Sequence, residues 1–363
     1  MANPNQFLNP KIFDADVDQV PIRKGFGEGL LLAAESNKNI VGLCADLTES
    51  TQMLPFKKKF PERFVEIGIA EQNLASVASG MAAMGKVPFI TSYAMFSPGR
   101  NWEQIRTTVA YNDRKVIIAG SHAGVSVGPD GGTHQAIEDI AITRVIPNMA
   151  VIVPCDALEA RKATIALALS KDEGGISSPA YLRLAREKTP VITTEDAPFE
   201  IGKARVVYSL TEDEFMEAKS VRSSGSLTLK LDGENNIRHD VGVIACGALL
   251  HKALKVAEAL KKEGLAVTVM NLATIKPLDG AAVLQLAAET GAIVTVEEHQ
   301  IAGGMGSAVA ELLAQNEPVP IEFVGVHDEF GQSGTPDELI ERYGMGESHI
   351  KEAIQKVLAR KNK

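Results

Sequence analysis

Short runs of apolar and β-branched residues alternate along this chain with longer segments that have the periodicity of helices. Residues 39–45, 87–91 and 115–120 form three such runs, and helical patterns over 24–36 and 70–84 precede the first two. Strands that are connected through helices run parallel to one another, and the helices then cover both faces of the sheet. The sequence therefore predicts an α/β fold built on a parallel sheet with helices on both faces.

The alternation breaks off in the middle of the chain and returns at residue 241. Between these points, residues 197–208 are interpreted as a strand, and 211–240 as an inserted hairpin or excursion. The 363 residues exceed the size at which a single core stops growing, about 250–300 residues. We therefore predict two α/β domains, 1–195 and 196–363, with the insertion inside the second.

The composition argues against several classes of function. The formal net charge is −9, whereas nucleic-acid backbones attract basic faces. No stretch approaches the ~20 apolar residues of a membrane helix, and the N-terminus does not resemble a signal peptide. The three cysteines, Cys44, Cys155 and Cys246, form no CxxC pair, which favours buried thiols in a reducing compartment. We expect a cytoplasmic protein that binds neither nucleic acid nor membranes.

A single carboxylate lies at the junction of an apolar strand and a helix. Residues 64–73 read Phe-Val-Glu-Ile-Gly-Ile-Ala-Glu-Gln-Asn, and the second glutamate, Glu71, lies where the helix should begin. An isolated glutamate at the start of a helix usually only stabilises that helix through its interaction with the helix dipole, by roughly 0.3–1 kcal/mol. Glu71 becomes a candidate for catalysis only together with the motif that follows it.

That second motif, residues 121–135, reads Ser-His-Ala-Gly-Val-Ser-Val-Gly-Pro-Asp-Gly-Gly-Thr-His-Gln. Its four glycines allow backbone turns that bring polar side chains to a ligand. His122, Asp130 and His134 can bond to hydroxyl groups, and a histidine can move protons near neutral pH. Zinc is the alternative ligand, but no third His or Cys lies close enough in the sequence to suggest it. The motif predicts a site for a polar substrate.

Together the two segments resemble the pyrimidine-binding half of a transketolase. In that family the glutamate at the place of Glu71 activates thiamine diphosphate, because its carboxyl group bonds to N1′ of the aminopyrimidine ring. The resemblance implies that His122, Asp130 and His134 bind the sugar, and that the two histidines also take part in catalysis. It covers nearly the whole chain and implies a thiamine diphosphate-binding fold followed by a transketolase C-terminal α/β domain.

The same resemblance assigns further contacts to the cofactor. Phe96 matches the aromatic side chain that stacks on the pyrimidine ring, and Tyr93 matches a second one beside it. Stacking contributes about 1 kcal/mol beyond the area that it buries. Asp46, after the strand at 39–45, matches a contact on the cofactor side of the dimer; an Asx turn is the alternative.

Three residues match phosphate contacts of the family: Arg186, Arg23 and Ser50. A guanidinium group suits a phosphate monoester because it offers paired, charge-assisted hydrogen bonds. Lone arginines are more often solvated surface groups. Residues 297–307 resemble the Glu-His and glycine turn of the family's C-terminal domain, for which the resemblance implies a structural and dimer-related role and no catalytic one.

One expected motif is missing. The chain has no Gly-Asp-Gly followed at the usual distance by Asn, the motif that binds the diphosphate and the metal. The resemblance therefore implies a split enzyme, in which this chain is the C-terminal subunit. The partner would be an N-terminal subunit that carries the ligands of Mg²⁺ or Ca²⁺, and we assign no metal ligand to this chain. The expected assembly contains two copies of each chain.

The implied reaction is transfer of a two-carbon ketol unit from a ketose phosphate to an aldose phosphate, as in the pentose phosphate pathway. A deoxyxylulose phosphate synthase-like or 2-oxoacid dehydrogenase beta-type subunit is the first alternative. Deoxyxylulose phosphate synthases generally carry arginine at the place of His122, which argues against it. A non-catalytic assembly subunit is the second alternative, and the presence of Glu71 argues against that.

Overall fold

Two largely parallel sheets organise the chain. The structure is a computed structural model that describes residues 4–211, 214–215 and 239–361. Its strands are β1 (Gln19–Pro21), β2 (Ile40–Cys44), β3 (Phe64–Glu66), β4 (Val87–Tyr93), β5 (Ile117–Ser121), β6 (Ala150–Ile152), β7 (Ala180–Leu184), β8 (Lys188–Pro190), β9 (Arg205–Tyr208), β10 (Val241–Ala245), β11 (Val267–Asn271), β12 (Thr274–Lys276), β13 (Ile293–Gln300) and β14 (Ile321–Val326). Its helices are α1 (Ile22–Ser36), α2 (Leu54–Lys59), α3 (Glu71–Ala83), α4 (Trp102–Gln104, continued by a π-helix over Ile105–Ala110), α5 (Asp139–Arg144), α6 (Ala157–Ala168), α7 (Leu250–Lys261), α8 (Gly280–Thr290), α9 (Met305–Asn316), α10 (Pro336–Arg342) and α11 (Glu347–Lys361).

The first sheet has seven strands in the order β12-β6-β7-β5-β4-β2-β3. Neighbouring strands are parallel except for β12, which runs antiparallel to β6. Because the carboxyl ends of parallel strands lie at the same edge of a sheet, the loops after β7, β5, β4, β2 and β3 lie next to one another. This edge carries the residues that the sequence singles out.

Helices cover both faces of the first sheet, as the sequence predicts. α1 and α6 pack on one face with Phe26 and Leu30, and α3 packs on the other with Leu74. Ile117 and Ile118 are adjacent in β5 but belong to the apolar clusters on opposite faces. Successive side chains of a strand point to opposite sides, so a strand with both faces covered is apolar throughout.

The second sheet has the order β14-β13-β10-β11-β9, and only β9 runs antiparallel to its neighbour. β9 begins at Arg205, so the strand prediction over 197–208 is wrong for residues 197–204. Pro198 has no N–H group to pair there, and the chain turns at Gly202, where φ is 87°. The predicted insertion, 211–240, falls almost entirely outside the described residues, and the division after residue 195 stays a prediction.

One strand, β12, connects the two halves, and no sequence pattern indicated it. β12 follows β11 of the second sheet but pairs with β6 of the first, Thr274 opposite Ile152. The two sheets are therefore held together by backbone hydrogen bonds as well as by side chains. Among the described helices, none has both the length and the apolar character to cross a membrane.

Candidate active site

The carboxyl edge of the first sheet brings together residues that are far apart in the sequence. Tyr93 is the last residue of β4, His122 directly follows β5, and Arg186 lies two residues after β7. Glu71 begins α3 after the short loop that follows β3. The parallel register of these strands places the four residues along one edge.

Glu71 holds a carboxylate oxygen that lacks a hydrogen bond. The residue is 3% exposed, and Oε2 has no hydrogen-bond partner in the part of the chain that the structure describes. The nearest cation is the Arg100 guanidinium, whose Nε lies 3.8 Å from Oε2. Buried carboxylate oxygens are nearly always hydrogen-bonded, so an orphaned one marks a place where a ligand donor fits. A ring N–H or a shared proton would satisfy it.

Four rings lie together on this edge. The rings of Tyr93 and His122 stack with centroids 3.8 Å apart and planes inclined by 23°. Phe96 stacks with Tyr93 at 6.2 Å and contacts the His134 ring edge-on at 5.4 Å. Tyr93, Phe96 and His134 are each partly exposed. The cluster therefore offers aromatic faces to a flat ligand and imidazole nitrogens to a polar one.

His122 is buried as a neutral imidazole. It is 2% exposed, its φ is 58°, and its Nδ1 lies 2.8 Å from the Ser121 hydroxyl. Burial, together with the positive charges of Arg23 and Arg186, lowers its pKa from 6.5 to about 3. A neutral imidazole can accept one hydrogen bond and donate another, and it can hand on a proton without carrying lasting charge.

The burial of His122 predicts a specific acid sensitivity. The unfolded chain binds a proton at this residue near 6.5 and the folded chain only near 3, so stability declines as the pH falls through this window. When the pH is lowered from about 7 to about 5, the free energy of unfolding should decrease by about 2 kcal/mol because of this residue. Urea unfolding of the isolated chain at both pH values should show a smaller decline for His122→Asn than for the wild type. The same substitution at the exposed His327 should leave the decline unchanged, and an equal decline in His122→Asn would contradict the burial argument.

Two guanidinium groups lie beside the histidines. Arg23 Nε donates to the Arg186 carbonyl at 3.1 Å, and Arg23 Nη1 donates to the carbonyl of Ser50. Arg186 Nη1 donates to the Val127 carbonyl at 2.5 Å and lies 3.9 Å from Asp130 Oδ1. Partial burial, and then the charge of Arg186, lower the pKa of Arg23. Two adjacent cations that repel each other favour a bound anion between or beside them.

Asp46 and Ser50 lie in the loop after β2, and their hydrogen bonds to neighbouring residues are made by backbone atoms. Asp46 is exposed with φ at 56°, and its backbone N–H donates to Glu66 Oε1 at 2.8 Å. Ser50 contacts Arg23 through its carbonyl and not through its hydroxyl. Partial burial raises the pKa of Glu66. The hydrogen bonds that its carboxylate accepts from Asp46, Gly68 and Thr48 outweigh this effect, so the pKa is lowered overall. Glu66 thus shapes this loop, a role that the sequence did not indicate.

Comparison with known proteins identifies the family. Residues 18–191 match the family model described as "Transketolase, pyrimidine binding domain", and residues 233–350 match "Transketolase, C-terminal domain". The chain belongs to the transketolase family. The predicted family, and the predicted order of a pyrimidine-binding domain and a C-terminal domain, are confirmed.

Several similar proteins have nearly the same extent as this chain. A protein of Methanocaldococcus jannaschii named "Putative transketolase C-terminal section" is 39% identical over 93% of this chain and 96% of its own. A 6-deoxy-6-sulfo-D-fructose transketolase subunit of Clostridium sp. is 36% identical over 96% of this chain and 98% of its own. A solved structure titled "Split gene transketolase, inactive beta4 tetramer" superposes with a TM-score of 0.79 at 39% identity, covering 94% of this chain and 99% of that one.

Proposed function

We propose that this chain is the C-terminal subunit of a split transketolase that depends on thiamine diphosphate. The enzyme transfers a two-carbon ketol unit from a ketose phosphate to an aldose phosphate. The observation that carries the proposal is the buried Oε2 of Glu71, which has no hydrogen bond from any described residue and lies at the same sheet edge as an aromatic cluster. The relatives of matching length, which are named as a transketolase section and a transketolase subunit, support it.

The cofactor fits the residues at this edge. Glu71 Oε2 would share a proton with N1′ of the pyrimidine, and this hydrogen bond would satisfy the oxygen. Phe96, and beside it Tyr93, would cover the flat ring and exclude water, while Asp46 would face the cofactor from the loop after β2. Thiamine diphosphate, when bound, supplies the carbon nucleophile that accepts the ketol unit.

The sugar would lie against the histidines and the two arginines. His122 stays neutral over the working pH range and can accept a hydrogen bond from a hydroxyl group of the donor. Asp130 would bind further hydroxyl groups, and the partly exposed His134 would hold or move a proton. The phosphate would be bound by Arg186 and Arg23, with Ser50 beside them.

The diphosphate and its Mg²⁺ or Ca²⁺ would be bound by an N-terminal subunit. Within residues 4–211, 214–215 and 239–361, no group of three or more His, Cys, Asp or Glu side chains is arranged to hold a metal ion. The related solved structure, whose title calls it an inactive beta4 tetramer, supports the view that such a chain needs a partner. We propose two copies of each subunit, with the active sites between unlike chains, in the cytoplasm. The three buried free cysteines agree with that compartment.

Reconstitution tests the proposal. The purified chain is assayed alone, together with a co-purifying chain that carries the Gly-Asp-Gly and Asn motif, and with that chain alone as the control. We expect ketol transfer only when both chains, thiamine diphosphate and a divalent cation are present. Full activity of this chain alone would contradict the split enzyme, and no activity in any mixture with such a partner would contradict the transketolase assignment.

Arg186→Ala should weaken the binding of phosphorylated sugars. Loss of a charge-assisted contact costs roughly 10- to 100-fold in affinity, so the KM for the ketose phosphate should rise by that factor with kcat little changed. Steady-state assays with a ketose that lacks the phosphate should give similar KM values for variant and wild type. Arg360→Ala, which removes an exposed arginine of α11, serves as the control. An unchanged KM for the ketose phosphate in Arg186→Ala would remove the phosphate assignment.

A further inference from the structure

The loop that carries the proposed sugar ligands, residues 122–134, is fastened to the C-terminal domain. The centre of this attachment is Glu298, which lies in β13 of the second sheet and is 6% exposed. Its Oε1 accepts the backbone N–H of Ser126 at 2.6 Å. A side chain of the second domain thus binds the backbone of the loop directly.

The loop approaches Glu298 too closely for any side chain at Gly124. The φ of Gly124 is 89°, and a Cβ atom built there would overlap the carboxylate of Glu298. At the other end of the loop, Gly132 packs equally closely against the C-terminal domain. A Cβ atom there would lie 2.6 Å from the Gly331 carbonyl oxygen. The glycines of the sugar motif therefore serve the contact between the domains as well as the turns of the loop itself.

Two further side chains strengthen the attachment. Gln135 is 2% exposed, and its Nε2 donates at 3.0 Å both to the Val125 carbonyl of the loop and to the Gln332 carbonyl of the C-terminal domain. Arg183 Nη2 donates to the Glu298 carbonyl at 2.8 Å and to the Ala136 carbonyl at 3.1 Å. Buried bonds of this kind are costly to break, because the groups that are left have no water to replace them.

We propose that the C-terminal domain positions the 122–134 loop for sugar binding, and that Glu298 is the positioning residue. The expected effect of Glu298 on catalysis rests on the proposed function. The expected effect of Glu298 on the position of the loop is independent of that function. Glu298 touches no proposed ligand of the sugar. It fixes the backbone at Ser126, between His122 and Asp130, so the distance between these two side chains depends on it.

Glu297 provides a matched control. It is the preceding residue of β13, it is buried to a similar degree, and its carboxylate also accepts backbone N–H groups. Its partners are Met305 at 2.7 Å and Gly306 at 2.8 Å, both in the first turn of α9 within the same domain. Glu297→Ala and Glu298→Ala therefore remove the same group from neighbouring positions, and only the second releases the 122–134 loop.

Hydrogen–deuterium exchange of the full-length isolated chain measures the release without any assay of function. In Glu298→Ala the amides of residues 124–132 should exchange roughly tenfold faster or more, since the Ser126 N–H loses its acceptor. Glu297→Ala should leave these amides unchanged and accelerate exchange at the start of α9. Glu298→Gln keeps an oxygen that can accept from Ser126 and should restore most of the protection. Equal acceleration of the loop in both alanine variants, or none in Glu298→Ala, would overturn the proposal.

Kinetics of the reconstituted enzyme provide the second readout. Glu298→Ala should raise the KM for the donor sugar roughly tenfold and leave the affinity for thiamine diphosphate unchanged, whereas Glu297→Ala should change neither. Wild-type values of both constants in Glu298→Ala, with the loop released, would overturn the role in sugar binding. If the wild-type mixture shows no ketol transfer, the proposed function fails, and the exchange experiment still decides whether Glu298 holds the loop.

Discussion

Glu71→Gln is expected to reduce the kcat of the reconstituted enzyme by roughly 10²- to 10⁴-fold, the usual contribution of a group that holds or moves a proton. The substitution keeps the size of the side chain and removes its ability to share a proton at Oε2. That atom is buried and has no hydrogen bond in the described part of the chain, and its ion-pair contact is with the Arg100 Nε at 3.8 Å. The measurement is kcat with saturating sugar and cofactor, together with the dissociation constant of thiamine diphosphate by titration.

The control for this experiment is Glu62→Gln, which makes the same change in the short 3-10 turn Pro61–Arg63 that precedes β3. The side chain of Glu62 is 69% exposed, and its carboxylate lies 3.6 Å from the Nε of the neighbouring Arg63. Its kcat should equal that of the wild type. We expect Glu71→Gln to bind the cofactor with moderately reduced affinity, because the lost proton matters most for turnover. Near-normal turnover in this variant would remove Glu71 from the mechanism and with it the main support for the proposed function.

Asp139→Ala should produce the largest loss of stability, about 3–5 kcal/mol in the free energy of unfolding of the isolated chain. Asp139 Oδ2 lies 2.7 Å from Arg183 Nε, and Oδ1 accepts from Arg183 Nη2 at 3.1 Å. Tyr181 donates its hydroxyl to the same carboxylate at 2.6 Å. All three side chains are buried, so the substitution leaves the Arg183 charge without its counter-ion in a site that water does not reach.

The pKa shifts of this pair agree with the expected loss. Burial alone would raise the pKa of Asp139, but the charge and hydrogen bonds of Arg183, the His299 ring and the Tyr181 hydroxyl together outweigh burial and lower it. The pKa of Arg183 is raised in turn, chiefly by the charge of Asp139, against the effect of its own burial. Urea unfolding at neutral pH measures the effect. Glu329→Ala, which breaks the exposed ion pair with Arg342 at 3.2 Å, is the control and should cost no more than about 1 kcal/mol. A loss of that small size in Asp139→Ala would show that the buried pair contributes little.

Much of the architecture could be predicted because it depends on local patterns. The buried strands β2 and β5 consist almost entirely of apolar residues and glycine, and the helices that cover them have an apolar face. The composition of each segment therefore indicates burial on both sides of a parallel sheet. The strand prediction over 197–208 was wrong at 197–204, where Pro198 and the turn at Gly202 interrupt an otherwise suitable run. β12 was missed because three residues carry too little periodicity to be recognised.

The candidate site could be predicted in part for a different reason. Glu71 and the residues of the 122–134 loop lie in two short segments of unusual composition, and the two segments taken together indicate the site. The sequence does not identify Arg183 as part of this region, since an arginine between two leucines of a strand gives no sign that it is buried against a carboxylate. Glu298 lies in a recognisable turn segment, but its partner Ser126 is 172 positions away, and no local pattern connects them.

The sequence by itself determined the class of fold, the two sheets and the chemical nature of the side chains at the carboxyl edge, because periodicity and residue type act over a few positions. The tertiary structure decided which of these groups are neutral, paired or left without a partner. The neutral state of His122, the ion pair of Asp139 and the attachment of the 122–134 loop to Glu298 all arise from burial. Burial is set by chain segments that meet only after folding, and it changes the free energy of a charge or a hydrogen bond by more than local sequence does.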